Sequence, residues 1–310
     1  MNGVVVIDKP QGPTSRAVVE EVKRALGVRK AGHTGTLDPL ATGVLPVCVG
    51  EATKLVQFLA LDDKEYRATL LLGVRTDTLD IEGSVLSRED PRVAREQVEE
   101  ALLGLTGRRE QTPPRYSAVK FRGKALHDWT RRGIAVEALP REVEIYDVRV
   151  EEVRLPEATF TVSCSKGTYI RSLCAEVGEK LGCGGCMSAL RRTRSGCFRE
   201  EQALAMEGLT AQGKKDLLTA HLLPMTEVLP GMAVIGVDQA LAGKLRNGYQ
   251  PDGEILRSYH IPFLAAGDVV KLVSHDEHLV AVGRMLCASD ELAAGEGKKQ
   301  AVRILRVFND

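Results

Sequence analysis

The spacing of apolar residues changes along the chain, and this change constrains the fold more than any other feature. Short β-branched runs such as residues 4–7 are typical of strands. Between such runs apolar residues recur every three or four positions, as in residues 18–26, which is typical of amphipathic helices. After Gly231 only short strand-like runs remain. The pattern predicts a large region of strands and helices followed by a small β-rich region.

Capping and turn residues mark the ends of the predicted helices. Thr14 or Ser15 can cap the first helix, and Gly27 is placed to end it. Asp90 and Pro91 predict the start of a second helix.

Alternating apolar residues predict further strands at residues 66–72, 143–150 and 160–164. The last two are close in sequence and predict an antiparallel pair. The spacing then becomes helical, and the predicted helix begins beside Tyr169 and Arg171. The chain therefore presents these two side chains where a strand gives way to a helix.

The charge of the chain balances overall but not locally. The sequence holds 42 Lys and Arg against 42 Asp and Glu, so net charge indicates no nucleic-acid partner. Residues 108–132, however, contain eight basic and two acidic residues, and residues 191–199 contain four arginines and no acid. Such runs suit phosphate contact, although a charged run is more often a solvated face.

The cysteines and the apolar stretches predict a reducing, non-membrane location. The seven cysteines are an odd number in a chain too large to need disulfides. Cys183 and Cys186 form a C-x-x-C pair, but Cys174 and Cys197 do not complete a familiar zinc spacing, so no metal is predicted. No apolar stretch is long enough to span a bilayer, and no signal-peptide core follows Met1. We expect a cytoplasmic protein.

The segment of residues 32–46, which reads GHTGTLDPLATGVLP, concentrates polar groups between glycines. His33, Thr34 and Asp38 lie within a few residues of each other, as in an active-site loop. The alternative is that Asp38, which precedes Pro39, only caps a turn or helix. Residue chemistry alone favours this alternative.

The same segment resembles the catalytic motif of the TruB family of pseudouridine synthases. Four further segments resemble motifs of that family and occur in the family's order. They read NGVVVIDKPQGPTS (residues 2–15), KEYRATLLLG (64–73), KGTYIRSL (166–173) and ALRRTRSG (189–196). The resemblance covers roughly the first two thirds of the chain.

The resemblance implies three catalytic residues. Asp38 matches the family's catalytic aspartate, through which the N1 glycosidic bond breaks before the base turns and rejoins through C5. Tyr66 matches the aromatic residue that stacks on the extruded uracil, and Arg171 matches the arginine that pairs with the aspartate. Since an opposite charge lowers the pKa of a carboxylate, we expect Arg171 to keep Asp38 ionised. Without the resemblance, Tyr66 and Arg171 would be an ordinary strand tyrosine and a helix-start arginine.

The resemblance also implies a set of substrate-binding residues. His33 matches a wedge that enters the space left by the flipped base, and Lys9 matches a residue that supports the pocket. Arginines of the last motif are expected to contact phosphates, with a solvated helix face as the alternative. The full substrate-binding set is Lys9, His33, Tyr169, Leu190, Arg191 and Arg192.

For the whole chain, the resemblance implies an α+β catalytic domain over residues 1–230, built on a mixed, mostly antiparallel sheet. Residues 108–132 match an insertion that clasps RNA, and residues 231–310 resemble a PUA-type RNA-binding domain. The implied reaction converts the uridine at position 55 of the T-loop of transfer RNA to pseudouridine. It needs no cofactor, no metal and no obligatory protein partner, and the implied enzyme is a monomer.

Three other functions remain open from the sequence. A non-catalytic RNA-binding or RNA-folding protein could retain the same fold. A guide-RNA-dependent pseudouridine synthase shares these motifs but works within a multi-protein particle. A redox protein would use Cys183 and Cys186.

Overall fold

The structure is a computed structural model that describes residues 1–117, 119–134, 136, 138–294 and 299–309. Its N-terminal part contains thirteen strands and six α-helices among the described residues. The strands are β1 (Gly3–Lys9), β2 (Ala31–His33), β3 (Thr42–Val49), β4 (Lys64–Leu72), β5 (Val74–Thr76), β6 (Val85–Arg88), β7 (Gly107–Gln111), β8 (Lys120–Phe121), β9 (Lys124–Ala125), β10 (Arg141–Arg154), β11 (Glu157–Cys164), β12 (Gly185–Ser195) and β13 (Phe198–Arg199). The helices are α1 (Ser15–Leu26), α2 (Val56–Leu59), α3 (Arg95–Leu103), α4 (Leu126–Thr130), α5 (Ile170–Lys180) and α6 (Ala211–Ala220), with short 3₁₀ helices at Gly50–Leu55 and Glu200–Gln202.

One large sheet organises this part of the chain. Its strands run in the order β1-β3-β12-β4-β11-β10-β7, with β2 paired to β3 and β13 paired to β12. All of these neighbours are antiparallel except β3 and β12, which are parallel. The predicted mixed, mostly antiparallel sheet is confirmed, as is the predicted pairing of β10 with β11.

Local sequence signals explain helix α1. The Thr14 side chain accepts a hydrogen bond from the Ala17 backbone N–H, and Gly27 takes the left-handed conformation at φ 64°. Val18, Val22 and their neighbours form its buried face. Both predicted ends of this helix are confirmed.

Two predictions about local structure were wrong. Helix α3 begins at Arg95 and not at Asp90, because the Glu89 N–H donates to the Gly73 carbonyl and holds the chain against the β5–β6 hairpin. The alternative of a solvated helix face for the arginines of residues 191–194 is also wrong, because this segment belongs to strand β12. Pairing with β4 and β3 decides this, and a local pattern does not reveal it.

Two apolar clusters meet beneath the large sheet. One contains Leu173 of α5 and Val98 of α3, and the other contains Val18 of α1 and Leu218 of α6. Tyr66 and Leu190 pack against both clusters. At the junction of the two clusters, therefore, the side chains of Tyr66 and Leu190 are only partly buried.

The C-terminal part forms a second sheet of four strands. They are β14 (Ala233–Val237), β15 (Val269–Ser274), β16 (Leu279–Met285) and β17 (Val302–Val307), accompanied by helices α7 (Gln239–Arg246), α8 (Gly253–Leu256) and α9 (Ser289–Ala294). The three strands predicted after Gly231 are present, and β14 and the helices are additional. A shared apolar cluster joins this sheet to the first part through Phe308, and the Lys54 Nζ donates to the Val307 carbonyl at 2.8 Å. No helix in the described part of the chain is both long and apolar enough to cross a bilayer.

The parallel contact of β3 with β12 depends on Gly43. Gly43 lies opposite Arg192 and has a φ of 97°, a conformation that side chains rarely adopt. A Cβ built on Gly43 would lie 2.3 Å from the Arg192 carbonyl oxygen. Only glycine lets the two strands come this close.

We expect Gly43→Ala to lower the free energy of unfolding by about 3 kcal/mol or more, since left-handed strain and overpacking add together. Gly27→Ala is the matched control, because Gly27 has a φ of 64° and open space around its missing side chain. It should cost only about 1–2 kcal/mol. Urea unfolding measures both, and equal losses would show that the contact with Arg192 is unimportant.

Candidate active site

The loop that carries Asp38 is held in place by two buried polar residues. The Lys9 Nζ donates to the carbonyl oxygens of Pro39 at 3.2 Å and Ala41 at 2.7 Å. The Ser15 hydroxyl donates to the Leu37 carbonyl at 2.8 Å and accepts from the Leu37 N–H at 2.7 Å. Burial lowers the pKa of Lys9 to about 8, and Asp38 partly opposes that shift. The loop is therefore anchored on both sides of Asp38.

Arg171 stands between two carboxylates. Its Nη2 lies 3.1 Å from Asp38 Oδ2, and its Nη1 lies 3.4 Å from Asp80 Oδ2. The side chain of Arg171 is only 6% exposed, that of Asp80 is 8% exposed and that of Asp38 is 37% exposed. Arg171 also donates to the backbone carbonyls of Thr78 and Tyr116. A guanidinium tied at four points directs the one carboxylate that remains accessible.

A cavity of about 260 Å³ opens above Asp38. The sequence-predicted residues Asp38, Tyr66, Tyr169, Arg171, Leu190 and Arg192 all line it, together with Lys64. They come from four separate segments of the chain. The structure thus brings six of the nine predicted site residues into one cavity.

Arg192 and Tyr66 form the polar base of this cavity. The Arg192 side chain donates to the carbonyls of Val44 at 2.7 Å and Gly35 at 3.1 Å, and it hydrogen-bonds the Tyr66 hydroxyl. Burial raises the pKa of Tyr66, and Arg192 partly opposes the shift, so the phenol is protonated at neutral pH. Burial and then Arg192 lower the pKa of Lys64 to about 8.

The pKa of Asp38 is raised, and this differs in direction from the sequence expectation. Surrounding atoms remove water from the carboxylate, and this desolvation is the largest effect. Arg171 and Lys9 lower the pKa as expected, but Asp80 raises it. Desolvation and the negative charge of Asp80 together therefore outweigh the attraction of Arg171 and Lys9.

The three other predicted residues lie outside the cavity lining. Lys9 supports the loop from below. His33 ends β2, and within the described residues its buried Nδ1 has no hydrogen-bond partner; burial, and then Arg192, lower its pKa. Arg191 forms two hydrogen bonds to Asp8 and one to Glu200. Arg192 is 1% exposed, which leaves it little surface for the expected phosphate contact.

Asp80 and Lys64 were missed by the sequence analysis. Asp80 lies in the turn-rich stretch after β4, where it accepts hydrogen bonds from the Thr78 hydroxyl and the Glu82 N–H. An aspartate in such a stretch is typical of a turn, and no local signal indicates its partner 91 residues away. Lys64 precedes Tyr66 by two positions on β4, so strand alternation places both side chains on the same side of the sheet. That alternation was available in the sequence.

Within the described residues, no group of three His, Cys, Asp or Glu side chains is arranged to hold a metal ion. Cys183 and Cys186 are both buried. Burial raises the pKa of Cys186 to about 11, which opposes thiolate formation. The burial of both thiols and the raised pKa of Cys186 disfavour a redox role for this pair.

Comparison with known proteins defines the class of this chain. A family model described as TruB family pseudouridylate synthase (N terminal domain) matches residues 23–170. A model of the tRNA pseudouridylate synthase B C-terminal domain matches residues 171–230, and a PUA domain model matches residues 252–308. The fold is that of a pseudouridine synthase with a PUA domain.

Individual relatives narrow the class. The chain is 55% identical over 310 residues to tRNA pseudouridine synthase B of Syntrophus aciditrophicus (strain SB), covering 100% of this chain and 99% of the relative. It is 40% identical over 310 residues to tRNA pseudouridine synthase B of Geobacter sulfurreducens (strain ATCC 51573 / DSM 12127 / PCA), covering 100% of both. The chain belongs to the tRNA pseudouridine synthase B family. It is an isomerase that converts uridine to pseudouridine in transfer RNA.

A solved structure supports the fold. A chain from the crystal structure of a Cbf5-Nop10-Gar1 complex superposes with a TM-score of 0.72 and 29% sequence identity, covering 99% of this chain and 85% of that one. The predicted pseudouridine synthase fold and the predicted PUA-type domain are thus confirmed. The predicted boundary at residues 230 and 231 stays a prediction.

The raised pKa of Asp38 generates a pH prediction. If ionised Asp38 is the active form, kcat/KM for pseudouridine formation should fall with decreasing pH along a limb whose apparent pKa lies above 3.8, the ordinary aspartate value. Asp80→Asn removes a negative charge that raises the pKa, so this limb should move to lower pH. Initial rates between pH 4 and 8 measure the limb, with Asp216→Asn as an exposed control on α6. A limb that moves upward in Asp80→Asn would contradict the charge argument.

Proposed function

We propose that this enzyme isomerises the uridine at position 55 in the T-loop of transfer RNA, with Asp38 as the essential carboxylate. The observation that carries the proposal is the ion pair of Asp38 with Arg171 at 3.1 Å, in a cavity that Tyr66 also lines. The names of the relatives support transfer RNA as the substrate. The choice of the T-loop rests on the family resemblance of the sequence motifs.

The size and position of the cavity support base flipping. A uridine within a folded loop is hidden, so an enzyme acting on its glycosidic bond must move it out and replace the lost stacking. Tyr66, Tyr169 and Leu190 provide aromatic and apolar walls for the base. His33, just outside the cavity, is the residue we assign as the wedge in the vacated space. Its lowered pKa keeps the ring neutral at physiological pH, which suits stacking.

In the proposed reaction, Asp38 acts on the nucleotide so that the bond between N1 and C1′ breaks. The free base rotates within the cavity, and a new bond forms between C5 and C1′. The proton on C5 is then released, and N1 of the base gains a proton. Every heavy atom of the uridine is retained, so the balance requires no cofactor.

The residues around Asp38 are suited to this sequence. Arg171 fixes the direction of the carboxylate and offsets part of the energy needed to keep it ionised. The Tyr66 phenol stays protonated, and its ring stacks on the base while Arg192 holds its hydroxyl. The Tyr66 ring can therefore stay stacked on the base while the base rotates, and the ring itself stays in place.

The basic insertion and the C-terminal sheet provide the further contacts with the RNA. In the insertion, the strands β8 and β9 and helix α4 place Arg122 over the ring of Phe121 and Lys124 over the ring of Trp129. Arg131 and Arg132 are exposed at the end of α4. We assign these two arginines to phosphate contact, and the PUA domain to the acceptor side of the transfer RNA. The enzyme acts as a monomer in the cytoplasm without an obligatory protein partner.

Asp38→Asn should abolish pseudouridine formation while leaving transfer RNA affinity within about twofold of the wild type. An unmodified transcript is incubated with either protein in the absence of any cofactor. Carbodiimide treatment followed by primer extension then locates pseudouridine. A stop at the T-loop uridine with the wild type alone is the expected result.

Other outcomes separate the competing functions. Pseudouridine formation by Asp38→Asn at the wild-type rate would eliminate the mechanism. No stop with either protein would instead favour a non-catalytic RNA-binding protein or an enzyme that requires a partner particle. A stop at another uridine would retain the isomerase and reject the T-loop.

Substituting both Arg131 and Arg132 with Ala should weaken transfer RNA binding and reduce the salt dependence of Kd. The slope of log Kd against log salt should fall by about 1.5, since each lost phosphate contact contributes about 0.7–0.9. The control substitutes Arg88 and Arg92, which are also exposed but lie outside the insertion. An equal change in the control would show that overall charge and not the insertion determines the slope.

A further inference from the structure

The root of the basic insertion contacts the helix of the catalytic arginine through a buried side chain. Gln111 is the last residue of β7 and is only 8% exposed. Its Nε2 donates to the Tyr169 carbonyl at 3.0 Å, and its Oε1 accepts from the Tyr169 N–H at 2.7 Å. One carboxamide therefore satisfies both backbone polar groups of a single residue.

Tyr169 is the residue from which helix α5 begins. Its carbonyl accepts the first helical hydrogen bonds, from the N–H groups of Ser172 at 3.1 Å and Leu173 at 3.3 Å. It occupies the N-cap position and has no side-chain cap of its own. Gln111 thus holds the peptide groups that set where the helix starts, and Arg171 lies only two residues further along.

A second contact joins the insertion to Arg171 directly. The Tyr116 carbonyl accepts from Arg171 Nη2 at 3.0 Å, and the same nitrogen lies 3.1 Å from Asp38 Oδ2. Tyr116 follows Gln111 by five residues in the sequence. One end of this segment therefore contacts the backbone at the start of α5, and the other end contacts the Arg171 guanidinium.

The side chain of Gln111 takes no part in the pairing of the strands. Its backbone continues the pairing of β7 with β10 opposite Arg141, and this pairing uses main-chain groups alone. A buried carboxamide must be hydrogen-bonded, and an apolar side chain at this position would serve strand packing without that requirement. The two bonds to Tyr169 are what distinguishes glutamine from an apolar residue here.

We propose that Gln111 is a positioning residue, which sets the start of α5 so that Arg171 meets Asp38 in the productive geometry. The proposal rests on the function proposed above, because it assigns Asp38 and Arg171 to catalysis. Gln111 touches no reacting atom and acts through Tyr169.

Kinetic measurements test this role with Gln111→Met, which has similar length but cannot form the two bonds. A displacement of about 1 Å in a catalytic group reduces the rate by up to about 100-fold. We therefore expect single-turnover rates to fall about 10- to 100-fold while Kd for unmodified transfer RNA stays within about twofold. Gln212→Met, at an exposed position of α6, is the matched control and should leave both quantities unchanged.

Gln111→Glu provides a second variant in case the methionine variant folds poorly. It keeps the acceptor for the Tyr169 N–H and loses the donor for the Tyr169 carbonyl, so its rate should also fall with Kd unchanged. Urea unfolding establishes that each variant is folded. A rate within about twofold of the wild type in a folded Gln111→Met protein would overturn the proposal. A parallel loss of rate, Kd and stability would also overturn it, since that result indicates general structural damage.

A measurement without turnover separates this proposal from the proposed function. Besides desolvation, which raises the pKa of Asp38, three charged groups shift it: Arg171 and Lys9 lower it and Asp80 raises it. Loosening Arg171 in Gln111→Met should therefore raise the pKa of Asp38, which carbon-13 NMR of its carboxyl group reports. If the wild type forms no pseudouridine, the proposed function fails, yet this pKa still tests the positioning. An unchanged pKa of Asp38 would reject Gln111 as the anchor of Arg171.

Discussion

The structure depends on a buried guanidinium that has to be neutralised. Arg171 is 6% exposed, and an unpaired charge at such a position would be strongly destabilising. Its partners come from the loop of Asp38, the turn of Asp80 and the basic insertion at Tyr116. Three segments that are remote in sequence must therefore meet at the first turn of α5. Of its two carboxylate partners, Asp38 is 37% exposed and Asp80 only 8%, so Asp38 is the one that a substrate can reach.

Other buried residues of the site hold Asp38, the carboxylate partner of Arg171, in position. Lys9 and Ser15 bind backbone carbonyls on both sides of Asp38. These bonds hold the loop in place around the exposed carboxylate. The close approach of Gly43 to Arg192 brings β12 beside the same loop. Because these supports are buried, the catalytic geometry is determined by the core of the large sheet.

Much of the fold could be predicted because it follows from local patterns. The ends of α1 depend on Thr14 and Gly27, and the pairing of β10 with β11 follows from two alternating runs close in sequence. The predicted start of α3 was wrong, as was the alternative of a helix face for residues 191–194, because hydrogen bonds to distant segments decide the conformation in both places. The resemblance of the motifs named Asp38 and Arg171. It did not reveal Asp80, whose turn-like surroundings gave no sign of a distant partner.

The sequence by itself determined the fold class, the family and six of the residues that line the cavity, because periodicity and motifs are local features that can be recognised without coordinates. Only the tertiary structure decided the electrostatics. Whether Arg171 or burial dominates the pKa of Asp38 depends on how much water and which charges surround the carboxylate. The same holds for Arg191, whose charge is taken up by Asp8 and Glu200, and for Gln111, whose partner lies 58 residues away. Distances between remote segments set these energies, and no local pattern encodes such distances.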